Sequence, residues 1–322
     1  MESFSTFRPV RPPLGLFAGE TPPPETGLSK IGLMPVNTEE KAATLVEALP
    51  YLQRFRGKTF LIKIGGSAMD SPELVSSLMR DIVFLEVAGI NPVVVHGGGK
   101  AISACMEAAG LEARFVEGFR VTSPEAISIV EATLGNTINP ALVDLLRTHG
   151  GHAAGIPGTK VFQSTRITES ELKPVDIGRV GKVESCHIDE ILKTIASDAV
   201  PVVSPLGCEL GSGKTLNINA DLAAAALACS LEPAKLLFVS DVPGLLSNPE
   251  DSSSLIPSVA PSEAAALIES GIISGGMIPK VRSAIEALDA GVEKVHFIDG
   301  RIPHTVLLEI FTTEGIGTEI TY

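Results

Sequence analysis

The sequence predicts an α/β protein, a three-layer sandwich with an open, mostly parallel central sheet and helices on both faces. Three observations predict it. Short apolar runs alternate with stretches of helical period along most of the chain, the pattern of parallel strands joined by helical crossovers. Two of those runs end in glycine turns, Phe60-Leu-Ile-Lys-Ile-Gly-Gly-Ser67 and Pro92-Val-Val-Val-His-Gly-Gly-Gly99. The composition holds 31 glycines in 322 residues and is 44% hydrophobic but only 4% aromatic, which suits a sheet packed by aliphatic side chains with glycine turns at its strand ends.

Residues 1–30 contain six prolines (Pro9, Pro12, Pro13, Pro22, Pro23 and Pro24) and no periodicity, so a disordered Pro-rich tail is expected. The tail lacks an apolar h-region and does not read as a secretory signal. The stretch 38–50 reads as an amphipathic helix with Thr38 as N-cap, Ala42, Leu45, Val46 and Leu49 on one face, and an end at Pro50. Strands are expected at 60–64, 92–96, 200–204, 235–240 and 295–298. Helices are expected over 71–88, 100–109, 124–146, 220–231, 261–270 and 279–290. The polar, irregular stretch 151–190 is expected to form hairpins over the site. In such a sheet, ligands belong at the carboxyl ends of the strands, where both glycine turns lie.

The formal net charge of -13 argues against nucleic acid and anionic membrane as partners. No apolar run reaches the roughly 18–20 residues of a membrane span. Cys105, Cys186, Cys208 and Cys229 form no CxxC pair and read as reduced, partly buried thiols of a cytoplasmic protein. The six histidines show no metal-ligand spacing, so no protein-held metal is expected.

Each glycine turn joins a strand to a helix, aiming backbone N–H groups and a helix dipole at one place, which should hold an anion. Lys63 sits within the first strand, among apolar residues, and needs a partner; a phosphate at the adjacent turn would be one. In Asn217-Ile-Asn219-Ala-Asp221 the two asparagines share a strand face and Asp221 is expected to cap the helix that follows. Gly275 and Gly276 precede a helix with Lys280 in its first turn, a place unfavourable to a cation unless it is solvated or faces a bound polyanion. By contrast, Gly211-Ser-Gly-Lys-Thr215 fails the P-loop spacing, because Cys208 stands where a glycine is required, and reads as a hairpin turn. Together, Lys63, Lys280, Asp221 and the glycine turns are the parts a phosphoryl-transfer site needs.

These residues resemble the amino acid kinase family over about 40–322. The carriers are Ile62-Lys-Ile-Gly-Gly66, Val93-Val-Val-His-Gly-Gly-Gly99, Gly118-Phe-Arg-Val-Thr122, Asn217-Ile-Asn-Ala-Asp221, Ser240-Asp-Val-Pro-Gly-Leu245 and Gly275-Gly-Met-Ile-Pro-Lys-Val281, six motifs in the family's order. Within the family the chain resembles the arginine-sensitive branch that acts on N-acetyl-L-glutamate.

The resemblance implies the amino acid kinase fold and transfer of the ATP γ-phosphate to the side-chain carboxylate of N-acetyl-L-glutamate, a step of arginine biosynthesis, with Mg2+ held through the nucleotide. It implies catalytic Lys63, Lys280 and Asp221, the aspartate orienting both lysines. Gly98, Gly99, Arg120, Asn217 and Asn219 would bind the acceptor, and Gly65, Gly66, Gly275 and Gly276 the ATP phosphates. It further implies an oligomerisation helix at 36–55, an N-terminal lobe at 58–206 with the acceptor site and dimer contacts, and a C-terminal lobe at 207–322 with the ATP site and an arginine-site signature. His304, Glu309 and Gly315 of that signature would line a site for the effector L-arginine. The implied assembly is a hexamer, a trimer of dimers, and nothing in the sequence speaks for a PII-type regulator as a partner. Ser67, Lys100 and Ser123 depart from the family's common Asn, Pro and Asp. Two other readings are a related acyl-phosphate-forming kinase with another acceptor and a catalytically silent sensor of arginine or acetylglutamate.

Overall fold

The structure is a computed structural model that describes residues 38–168, 176–251 and 253–322; the expected Pro-rich tail lies outside the described residues. In chain order the first half comprises α1 (Thr38–Phe55), β1 (Thr59–Ile64), a 3-10 turn (Gly66–Met69), α2 (Pro72–Val87), β2 (Asn91–His96), α3 (Gly99–Ala108), β3 (Phe115–Val116), β4 (Phe119–Arg120) and α4 (Ala126–Glu131). A π-helical turn (Ala132–Ile138) leads into α5 (Asn139–Thr148), β5 (Ala153–Ile156), β6 (Phe162–Arg166), β7 (Val180–Cys186) and α6 (Asp189–Ala196). The second half comprises β8 (Val200–Val203), β9 (Leu206–Glu209), β10 (Thr215–Ile218), α7 (Ala220–Leu231), β11 (Lys235–Ser240), β12 (Ser258–Val259), α8 (Pro261–Glu269), α9 (Met277–Asp289), β13 (Lys294–Asp299), α10 (Thr305–Ile310) and β14 (Thr318–Ile320).

Eight strands form the central sheet in the order β12-β14-β13-β11-β1-β2-β8-β5, parallel throughout except between β13 and β14. Its two faces carry separate cores. Strand alternation sends Phe60, Ile62 and Ile64 to one face, against Leu78 and Ile82 of α2 and Leu142 of α5, and Leu61 to the other, against Ala224 and Leu227 of α7. Each fully buried Leu, Ile or Phe contributes roughly 1.5–3 kcal/mol, so the sheet is a rigid platform. Lys63 follows Leu61 by two and therefore faces α7.

A second, closed sheet of order β10-β7-β6-β9 stands beside the first. Its β6 and β7 form the antiparallel hairpin expected within 151–190, but β5, in the same stretch, is an edge strand of the central sheet paired in parallel with β8. The turn at 211–215 joins antiparallel β9 and β10, as expected for a hairpin, with Gly211 and Gly213 at positive φ.

Several boundaries differ from expectation. Helix α1 does not end at Pro50 but continues to Phe55. Tertiary packing carries it through: Phe55 stacks edge-on to Phe60 at 5.1 Å and Tyr51 to Phe311 at 6.3 Å, offsetting the one backbone bond a proline removes. Among the described residues its apolar face finds no cover, for Leu45, Val46 and Leu49 are exposed. The helical stretch expected over 124–146 runs from 126 to 148 and widens into the π turn at its centre. Beyond the last expected strand, α10 and β14 complete the sheet edge. All four cysteines are free and half-buried. Among the described residues, no helix is long and apolar enough to cross a membrane.

Candidate functional site

A cleft of about 200 Å³ opens at the carboxyl ends of β1 and β2, between both glycine turns, the β3–β4 hairpin and the start of α7. Lys63 and Asp221 line it, and with Lys280 they form an ionic triad. Lys63 Nζ lies 2.7 Å from Asp221 Oδ1 as an ion pair, and Lys280 Nζ donates a 2.7 Å hydrogen bond to Asp221 Oδ2. The Lys63 side chain is 6% exposed and Lys280 18%, so both charges are held mostly out of water. Burial lowers the pKa of Lys63, an effect that Asp221 opposes. Burial alone would raise the Asp221 carboxyl, but Lys63 and Lys280 outweigh it and hold its pKa at about 2. With both lysines protonated, the triad keeps one surplus positive charge facing the cleft.

Asp221 reaches the lysines because it does not cap α7. That role, expected of Asp221, belongs to Asn219, whose Oδ1 accepts the N–H groups of Asp221 (2.8 Å) and Leu222 (3.3 Å). The cap satisfies two open donors of the helix and leaves the aspartate in the first turn free to pair. At Gly65 a Cβ would overlap the Lys63 ammonium, so the missing side chain is what lets Lys63 fold back over the turn. At Gly98 a Cβ would fall 2.6 Å from Ile138 and 2.8 Å from Leu134, both on the π turn. The π turn thus presses against the second glycine turn from the side of the cleft that Leu134 lines.

Arg120 enters from β4, the second strand of a hairpin whose Glu117 and Gly118 both have positive φ. Its Nη2 donates to Gly99 O at 2.7 Å and Ser103 Oγ at 2.9 Å, and its guanidinium lies 4.6 Å from the Phe115 ring centroid. Asn217, on β10, donates to Thr122 Oγ1 at 3.1 Å, and Thr122 Oγ1 donates to Arg120 O at 2.8 Å. Gly65, Gly66, Gly98, Gly99, Arg120, Asn217 and Asn219 therefore all line one cleft with Lys63 and Asp221. Gly275 and Gly276 do not line it; they stand before α9 and deliver Lys280 from its first turns.

Four participants are absent from the expected set. Asp241, after β11, lies within 3.1 Å of where a Cβ on Gly66 would sit. Lys100, in the place of the family's common proline, pairs with Asp70 across the cleft rim. His96 and Asn139 are buried behind the Gly97–Gly99 turn. A polar residue in an apolar strand was the available signal for His96, as it was for Lys63.

A second cavity, about 700 Å³, opens at the other edge of the sheet, between α1, α10 and the amino ends of β11 and β13. Glu309 and Gly315 line it, as expected, but His304 does not. His304 turns away at φ +59 and pairs through Nδ1 with Asp81 Oδ1 of α2 at 2.7 Å. The histidine in the cavity is His296 of β13, with Nε2 2.7 Å from Lys235 Nζ and Nδ1 2.6 Å from Glu309 Oε1. Glu309 Oε2 accepts the N–H groups of Ile316 (2.8 Å) and Gly317 (3.0 Å). Burial pulls Lys235 down to about 8.

The sequence model of the amino acid kinase family matches residues 58–299. Acetylglutamate kinase of Akkermansia muciniphila is 62% identical over 283 residues, covering 87% of this chain and 95% of the relative. Acetylglutamate kinase of Halothermothrix orenii is 44% identical over 282 residues, covering 87% of this chain and 97% of the relative. Among solved structures, N-acetylglutamate synthase from Neisseria gonorrhoeae, complexed with coenzyme A and N-acetyl-glutamate, superposes with a TM-score of 0.77 at 25% identity. That match covers 87% of this chain, which spans 63% of the larger synthase chain.

Proposed function

The chain belongs to the amino acid kinase family and is a kinase, and on that premise we propose that it transfers the γ-phosphate of ATP to the side-chain carboxylate of N-acetyl-L-glutamate in arginine biosynthesis. The observation that carries this reading is the Lys63–Asp221–Lys280 triad at the mouth of two glycine turns. An ionised carboxylate acceptor needs no general base. An acceptor oxygen attacks the γ-phosphorus, the bond to the bridging oxygen breaks, and ADP leaves with the electron pair. The catalytic work is positioning and stabilisation of charge spread over the transferring group. Lys63 and Lys280 supply that charge from two elements, and Asp221 sets their separation by holding one on each carboxylate oxygen.

Gly65 and Gly66, with the start of α9 behind Gly275 and Gly276, offer backbone N–H groups to the nucleotide phosphates. Arg120, already fixed by Gly99 O and Phe115, presents its guanidinium as a clamp for an acceptor carboxylate, with Asn217 beside it. Mg2+ carried on the nucleotide would neutralise phosphate charge. The test is ATP turnover with N-acetyl-L-glutamate in the presence of hydroxylamine, which traps an acyl phosphate as a hydroxamate. Hydroxamate that depends on the acceptor supports the reading; ADP formation without it points to another acceptor.

The same proposal includes inhibition by L-arginine at the second cavity. Glu309, fixed by His296 and two backbone N–H groups, offers a buried carboxylate to a guanidinium or amine. Millimolar arginine should lower the rate, and a flat curve would remove this part. The exposed apolar face of α1 supports assembly into a hexamer through that helix, which light scattering tests; a dimer-sized peak would contradict it.

A further inference from the structure

His96 ends β2 one residue before the Gly97–Gly99 turn and is fully buried. Its Nδ1 lies 2.9 Å from the carbonyl oxygen of Gly97, and its Nε2 lies 3.2 Å from Asn139 Nδ2. The Asn139 amide is itself oriented by a 2.8 Å bond from Nδ2 to Val202 O on β8. A carbonyl can only accept, so Val202 O fixes which end of the amide is nitrogen. The second hydrogen of Nδ2 then meets His96 Nε2, which must be the bare nitrogen, and Nδ1 carries the proton that goes to Gly97 O. Every polar atom of the ring is thereby assigned, and the ring is neutral.

A peptide unit is planar and trans, so the Gly97 carbonyl and the Gly98 N–H on the same unit point in opposite directions. Drawing the carbonyl back toward His96 turns the Gly98 N–H toward the cleft that this turn lines. We propose that His96, held by Asn139, is a positioning residue that sets the Gly97–Gly98 peptide so that its N–H faces the acceptor carboxylate. The acceptor's identity rests on the function proposed above, whereas the ring geometry does not. Burial, which brings the His96 pKa down to about 4, keeps the ring in this neutral form through the working pH range.

Protein labelled with 15N at histidine decides the ring's state in the intact chain. The expected result is that the resonances lost in His96→Leu, and so belonging to His96, show the Nδ1–H tautomer and do not titrate between pH 5 and 9; an Nε2–H tautomer or an imidazolium at His96 overturns the proposal. Kinetics then test the role. His96→Leu should reduce kcat/KM for N-acetyl-L-glutamate roughly tenfold, the scale of one misdirected buried hydrogen bond, with the KM for ATP within about twofold of wild type. His96→Asn keeps a donor near Gly97 O and should restore most of that loss. Equal losses in both variants, or an ATP KM that moves as far as that of the acceptor, would reduce His96 to a packing residue. Absence of hydroxamate from wild-type protein would defeat the acceptor assignment and leave the tautomer measurement to judge the ring.

Discussion

Lys63 near the carboxyl end of β1 and Lys235 at the amino end of β11 lie on neighbouring parallel strands, both nearly buried, yet their surroundings are built for opposite charges. Lys63 shares a single carboxylate with a second lysine, leaving a surplus positive charge at the cleft. Lys235 meets a neutral histidine. Its cavity is lined by four glutamates (Glu293, Glu309, Glu314, Glu319) against Arg54, Lys235 and Lys294. One edge of the sheet therefore suits a polyanion, and the other suits a small cationic or zwitterionic molecule. A buried lysine by itself says little; the count of carboxylates around it says which ligand it serves.

The comparison breaks first at the cleft. Lys280→Ala should lower kcat by about 10²–10³-fold, the cost of removing one preorganised transition-state donor, while arginine still binds the second cavity. Retained activity in this variant would mean that the surplus charge is not the catalytic feature. Arg120→Lys sharpens the comparison within the cleft. Loss of the fixed fork should raise the KM for N-acetyl-L-glutamate about tenfold or more and leave that for ATP little changed. At the opposite edge, Glu309→Gln should raise the arginine concentration for half inhibition about tenfold, since a charge-assisted bond is worth roughly 1.5–3 kcal/mol, with kcat unaltered.

The smallest effect is one of pH. Lys235 loses its proton near pH 8, well below its ordinary value, so a positive charge leaves the second cavity as the pH rises past that point. Arginine should then bind a few-fold more tightly at pH 9 than at pH 7. Asp221 titrates at about 2 and should place no acid limb on kcat above pH 4. Its folded value lies below the ordinary 3.8, so its stabilising contribution is present above pH 3.8 and is lost as the pH falls through about 2.

The cleft was the more legible of the two regions. Glycine turns, a lysine inside an apolar strand and the Asn217–Asp221 cluster are local patterns, and they point to Lys63, Asp221 and Asn217, whereas Arg120 follows only from the family resemblance. What they missed depends on contacts distant in sequence. Asp221 and Asn219 exchange the expected capping role because Lys63 and Lys280 compete for the aspartate, from 158 and 59 residues away. The second cavity was legible only in part. His304 and His296 lie eight residues apart, and the resemblance pointed to His304. Strand alternation in β13 sends His296 toward Lys235, while the left-handed turn at His304 sends its ring to Asp81. In the same way Pro50 looked like a helix end, because the packing of Tyr51 and Phe55 that carries α1 onward is tertiary.

The central claim is that Asp221 organises two lysines rather than capping a helix, and Asp221→Asn tests it most directly. The amide is nearly isosteric and keeps the helix start, with Asn219 still capping. The variant's melting temperature falls, because two buried lysines lose their shared counter-charge, so the comparison is made below it. In a single turnover with saturating ATP and N-acetyl-L-glutamate, phosphoryl transfer should slow by about 10²–10³-fold, comparable to loss of a lysine, while ATP affinity stays close to wild type. Transfer within about threefold of wild type would contradict the account, because the lysines would then hold their catalytic positions without the carboxylate between them.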